Sequence, residues 1–203
     1  MASLPVYESA LEQFDLKSQQ QTSEAYFANE IRDKGFVILR GKYDDKDFIN
    51  IANENLSIEI PVTPLSVNTS KIWQAQVLWQ SPDEFLVILP LSKKDAFFQK
   101  AQHAFKGIFA AVVDISGGFV CIELSGTRYL DVLQKVSEYE FNKHNFPMNK
   151  TVVTFLGEAL CIFLRIDPEK ILILLRFSFA DYCWRLLEHA SREYVSSISN
   201  DTS

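Results

Sequence analysis

Cysteine is scarce in this 203-residue chain, and what there is forms no motif. Cys121, Cys161 and Cys183 are odd in number and widely spaced, with no Cys-x-x-Cys. A zinc knuckle and a dithiol redox pair are both excluded. Each cysteine lies in an apolar run, where a thiol behaves as a small buried hydrophobe. Long hydrophobic runs are also missing, since none reaches the roughly 20 residues that span a bilayer. Met1-Ala2-Ser3-Leu4-Pro5 lacks the basic-then-apolar order of a signal peptide. The expectation is a protein of the reducing cytoplasm, without a membrane partner. Positive charge is outnumbered as well: the formal net charge is −6 and the pI about 5.1. Such a chain repels phosphate backbones, so nucleic acid is an unsuitable partner.

Catalytic vocabulary is equally thin. His103, His144 and His189 share no metal-ligand spacing and suit surface or helix-end positions. Gly117-Gly118 lies between two strands rather than ahead of a helix, so it is no dinucleotide loop. Neither a phosphate-cradling G-x-x-x-x-G-K-[ST] nor a G-x-S-x-G elbow occurs. Ser125-Gly126-Thr127 better ends a strand and starts a helix. Asp114, in an apolar strand, is expected to bond to the turn at Ser116-Gly117. No catalytic, cofactor-binding or metal-ligating residue is assigned.

What is present is a repeat. Pro82-Asp83-Glu84-Phe85-Leu86-Val87-Ile88-Leu89 aligns with Pro168-Glu169-Lys170-Ile171-Leu172-Ile173-Leu174-Leu175, 86 positions later. Ser92, Asp95 and Phe98 fall on Ser178, Asp181 and Trp184 at the same offset, and Gly41 on Gly126 at 85. A repeat of this length means two similar lobes. In the first, Gly35–Leu39 reads as a strand, and Asp44–Asn55 places Phe48, Ile51 and Ala52 at helical spacing. Lys71–Trp79 and Phe85–Leu89 form a hairpin about Ser81-Pro82-Asp83. A helix capped by Ser92 and Asp95 follows, burying Phe98, Ala101, Phe105 and Ile108, then a strand over Ala110–Ile115. This is the β-α-β-β-α-β order of a ferredoxin-like, split βαβ lobe.

The second copy repeats the order: strand Phe119–Leu124, helix Arg128–Val136, and strands Thr151–Leu156, Ala159–Arg165 and Ile171–Leu175. Asp167-Pro168 turns between the last two. Ser178 and Asp181 are expected to cap a final helix burying Phe179, Tyr182, Cys183, Leu186, Leu187, Ala190 and Tyr194 on one face. Trp184 and Arg185 fall off that face; the Trp either covers the edge of the core or, exposed beside an Arg, has the composition of an interface anchor. The fold class is therefore α+β, with two pseudo-repeated ferredoxin-like lobes over 31–116 and 117–195. Residues 1–30 form a polar, Gln-rich segment with a weak Leu11, Phe14, Leu16 stripe, which reads as an extended arm or a short helix, or as an arm that docks on a partner. Residues 196–203 form a tail expected to fray.

Three segments, in order and spacing, resemble the gamma subunit of heterotetrameric sarcosine oxidase: Val112–Gly118, Leu124–Leu133 and Ser178-Phe179-Ala180-Asp181-Tyr182-Cys183-Trp184-Arg185-Leu186-Leu187-Glu188. The Trp79–Leu89 hairpin is similar to a W-x-x-P-D-E pattern of that family. The resemblance runs over residues 71–194. It implies the fold of folate-binding aminomethyltransferases such as the glycine-cleavage T-protein. It implies a subunit that holds no cofactor and packs mainly on an alpha subunit. NAD, folate and part of the FMN site would lie in alpha, FAD in beta and zinc in delta. Such a complex demethylates sarcosine to glycine, forming hydrogen peroxide and passing the methyl carbon to tetrahydrofolate or releasing it as formaldehyde.

Departures from the family's pattern fall at Lys135–Phe141, Thr151–Thr154 and Phe177, where the family commonly has arginine. These segments are the ones suited to facing a partner. Arg176, Phe177, Tyr139, Trp184 and Arg185 are accordingly the interface candidates. The other reading is a free-standing folate-binding aminomethyltransferase, against which stands this chain's length, near half that of such enzymes.

Overall fold

The structure, a computed structural model, describes residues 9–14 and 24–195. In chain order, β1 (Phe27–Ile31) and β2 (Lys34–Arg40) lead into α1 (Lys46–Leu56). Then come β3 (Val67–Ser70), β4 (Ala75–Ser81), β5 (Glu84–Pro90), α2 (Leu91–Ala104) and β6 (Ala111–Asp114). The rest is β7 (Phe119–Ser125), α3 (Tyr129–Val136), β8 (Lys150–Leu156), β9 (Ala159–Asp167), β10 (Lys170–Arg176) and α4 (Ala180–Val195). The chain forms two α+β units. One comprises residues 32–116 with 149–152, and the other 1–31, 117–148 and 153–203.

The first unit's sheet has the order β3-β4-β5-β2-β6, with each registered neighbour antiparallel. Read as β6-β2-β5-β4, that is the ferredoxin-like order, extended by β3 at one edge. The central strands are apolar throughout because they are buried on both faces: Phe36, Val37, Ile38 and Leu39 of β2, and Phe85 to Leu89 of β5. Asp45 caps α1, its carboxylate accepting from the amides of Asp47 and Phe48. The helix then buries Phe48, Ala52 and Leu56, one turn apart. The Phe48 ring stacks on Phe85 and Phe105 at centroid distances of 5.9 and 5.0 Å.

The second unit's sheet has the order β1-β7-β10-β9-β8. Its strands correspond one for one with those of the first, but its edge strand comes from the other end of the chain. In the first unit the edge is β6, which follows α2. No strand follows α4 in the described residues, and β1 takes the equivalent place, running antiparallel to β7 from Phe27↔Ser125 to Ile31↔Cys121. The arm expected over residues 1–30 therefore holds structure of its own. Tyr26, Leu11 and Phe14 are buried too, at 4, 0 and 8% exposure. Gln-rich residues 19–21, Leu16 and the tail 196–203 lie outside the described residues.

Several local expectations change. Ser92 and Asp95 do not cap α2: the helix starts at Leu91 with Pro90 at its N-cap and no side-chain bond there. The Leu91 amide instead donates to the Asp33 carbonyl at 2.7 Å, which leaves the serine nothing to do. Asp95 pairs with Lys94 at 2.9 Å. On its buried face Phe97 rather than Phe98 is fully buried, edge-on to Trp73 at 5.1 Å. Ser178 likewise makes no cap. It lies in a 3-10 turn, Phe177–Phe179, that runs into α4. Asp181 sits in the first turn of α4, where its charge complements the helix dipole, but its carboxylate binds side chains and not a cap amide.

Candidate functional site: an aromatic surface on the second unit

The residues singled out for chemistry do not converge. His103, His144 and His189 are each exposed, on α2, in the loop after α3 and on α4. No cluster of three or more His, Cys, Asp or Glu side chains suited to a metal ion occurs among the described residues. Cys121, Cys161 and Cys183 are buried thiols. A hydrogen bond to Cys183, added to burial, pushes the Cys161 thiol far up, away from the reactive thiolate. Asp114 Oδ1 accepts from the Ser116 amide at 3.0 Å and its hydroxyl at 2.6 Å, and Oδ2 pairs with Lys94 at 2.5 Å. Partial burial opposes ionisation, but Lys94 and Ser116 outweigh it and hold the carboxyl below its usual range. It is a structural clasp at the end of β6.

Ser125-Gly126-Thr127 is a junction. Gly126 has φ +108, and a Cβ there would lie 2.6 Å from the Ala25 carbonyl oxygen. The amides of Thr127 and Arg128 donate to the carbonyls of Glu24 and Ala25, so the glycine lets the chain entering β1 pass across the head of α3.

The interface candidates separate into two groups. Trp184 is buried at 9% exposure, which fits a cover for the edge of the core and not an exposed anchor. The reason is Phe14, whose ring lies 6.2 Å away in the N-terminal segment. Arg185 is exposed, yet its guanidinium is engaged: Nε lies 3.0 Å from Asp181, and the group stacks 5.0 Å over Phe14. Gln13 Nε2 donates to the same Asp181 carboxylate at 2.5 Å. Tyr139 is half-buried and used internally. Its ring meets Phe141 edge-on at 4.9 Å and its hydroxyl donates to the Asn145 carbonyl at 2.8 Å. Phe141 and Phe146 then carry the loop after α3 into the core against Phe163.

Arg176 and Phe177 are different. Arg176 is exposed at the end of β10, stacked 5.3 Å over its cross-strand neighbour Phe119. No carboxylate lies in ion-pair range of it among the described residues. Phe177 is 46% exposed, and beside it Phe179 and Tyr182 are 42 and 39% exposed, although helical periodicity placed both in the core. Tyr182 is held in place. Its hydroxyl accepts from the Glu158 amide at 3.1 Å, and Gly157, at φ +57, makes room for it. The repeat itself carried the missed signal: Phe179 aligns with Lys93 and Tyr182 with Ala96.

Comparison with known proteins now places the molecule. The structure superposes on a chain of heterotetrameric sarcosine oxidase from Corynebacterium sp. U-96 with a TM-score of 0.82, at 20% identity, over 94% of this chain and 97% of that one. It also superposes on aminomethyltransferase T of the glycine cleavage system from Bartonella henselae, at 0.67 and 12% identity, covering 87% of this chain and 49% of that. Its class is thus the aminomethyltransferase-like α+β fold. In sequence, residues 40–193 match the family described as "Sarcosine oxidase, gamma subunit family", and the chain belongs to that family. Curated relatives named "Sarcosine oxidase subunit gamma" are 28% identical in Arthrobacter sp and 31% in Corynebacterium sp. (strain P-1). Each match covers 59% of this chain and 58% of the relative.

Proposed function

We propose that the chain is the gamma subunit of a heterotetrameric sarcosine oxidase-like complex, holding no active site of its own and bracing the alpha subunit. Family membership across residues 40–193 carries this reading. The dispersal of the histidines and the burial of all three thiols support it. The reaction of the assembly is the oxidative demethylation of sarcosine to glycine, with the methyl carbon passed to tetrahydrofolate or released as formaldehyde. FAD, FMN, NAD, tetrahydrofolate and zinc belong to the partner subunits. No helix among the described residues is long and apolar enough to cross a membrane, which suits a cytoplasmic assembly.

The test is purification of the tagged full chain from its own host. A flavin-bearing complex that oxidises sarcosine and contains a folate-domain subunit is the expected result. The competing reading, a free-standing folate-binding protein, draws on the likeness to aminomethyltransferase T. A chain that purifies alone and quenches its tryptophan fluorescence on titration with a reduced folate replaces the first reading with the second.

A further inference from the structure

We infer that Arg176, Phe177, Phe179 and Tyr182 form the surface on which a partner subunit seats, and that the partner presents a carboxylate among apolar side chains. The inference rests on the subunit reading. Its first support is the contrast between the repeats. At the aligned positions the first unit has Pro90, Leu91, Lys93 and Ala96. The two stretches occupy the same place in the same fold, where a central strand runs into the last helix of its unit. Folding alone is satisfied there by a lysine whose ammonium reaches the Ile72 carbonyl at 3.0 Å. The aromatic side chains of the second unit are thus not required by the architecture, and three of them gathered on seven residues have the composition of an interface centre.

The second support is rigidity. Phe177 and Phe179 lie on a 3-10 turn closed by the Ala180 amide donating to the Phe177 carbonyl. Tyr182 is pinned at the Gly157-Glu158 turn. A backbone turn already closed and a Tyr182 side chain already pinned lose little entropy on docking.

The third support is charge. Arg185, one turn beyond Tyr182, is paired with Asp181; among the described residues Arg176 has no carboxylate in range, and its stacking on Phe119 leaves the planar donor fork exposed. In a chain of net charge −6, an uncommitted guanidinium at the edge of an aromatic patch calls for an external carboxylate. A second copy is the poorer occupant, because two molecules of net charge −6 repel.

The experiment uses the full chain and its co-purified complex. Phe177→Asp with Phe179→Asp is expected to reduce the recovered flavin-bearing partner roughly tenfold or more, and Arg176→Glu to act in the same direction. Leu91→Asp, at the matching place in the first unit, is the control and is expected to leave recovery unchanged. The thermal midpoints of the isolated variants must match wild type, which separates lost docking from lost folding. Hydrogen exchange over residues 176–182 is expected to slow in the complex. A patch variant that retains its partner, or unprotected amides over 176–182, overturns the inference and leaves the subunit reading standing. A wild-type chain that captures no flavin-bearing partner overturns both. A homodimer in light scattering that the double variant dissociates replaces the partner subunit with a second copy.

Discussion

The two units share strand order, helix placement and hairpin turns, yet they spend their aromatic residues differently. The first turns Phe48, between Phe85 and Phe105, and Phe97, against Trp73, inward, and its exposed rings, Phe109 and Tyr43, lie far apart in sequence. The second also builds an inner group, from Phe141, Phe146 and Phe163, and then sets Phe177, Phe179 and Tyr182 on its surface. A duplicated fold offers its own control. Where both copies agree, the residue serves the architecture; where they part, another constraint acts.

The strongest way to break that correspondence is to remove β1. A chain beginning at Arg32 keeps every strand of the first sheet and loses the edge of the second. Amides of β7 are expected to exchange rapidly with solvent while those of β5 stay protected, as hydrogen-exchange mass spectrometry would show. Unchanged protection of β7 would mean that the edge strand is dispensable.

Next in size are the inner rings. Phe141→Ala and Phe48→Ala each leave a cavity where a ring is fully buried, and each is expected to cost about 3–5 kcal/mol in denaturant unfolding. Equal costs would say that the two cores carry equal weight.

Gly157→Ala comes third. A Cβ would lie 2.2 Å from the Tyr182 hydroxyl at a positive φ, so about 1–3 kcal/mol is expected. Gly107→Ala, also at positive φ but in open space, isolates the backbone share of that loss.

The smallest effect belongs to Asp114→Asn, expected to cost about 1 kcal/mol at neutral pH, because the Lys94 pair is partly exposed. The Asp114 carboxyl is depressed in the fold, so its contribution is complete above the usual carboxylate range and lost as pH falls through the lowered value. Wild type and variant should converge in urea titrations near about pH 2.

The fold was largely legible because its strongest signals are local. Apolar runs bounded by Pro82-Asp83 and Pro168-Glu169 gave both hairpins, and the constant offset gave the duplication. β1 was missed because Phe27-Ala28-Asn29-Glu30-Ile31 is half-buried along its whole length and has no clean alternation. The caps at Ser92 and Ser178 failed for a different reason. Capping chemistry is a local rule, and here a backbone carbonyl or a 3-10 turn had already set the helix entry. Arg176 and Phe177, named from the chain alone, are exposed. Trp184 stayed open between core edge and anchor, because its cover, Phe14, lies far away in sequence and no periodicity within α4 announces it.

The borrowed edge strand orders events during synthesis. Everything needed for the first sheet has been synthesised once Asp114 has been added, whereas β1, made earlier, finds no mate until Ser125. Through that interval it is an unpaired strand on a nascent chain, open to non-native association. Contacts so distant in sequence are expected to make closure of the second sheet slower than that of the first. The same wiring forbids dividing the gene at the duplication boundary, for a polypeptide beginning at Gly117 would lack one edge of its own sheet.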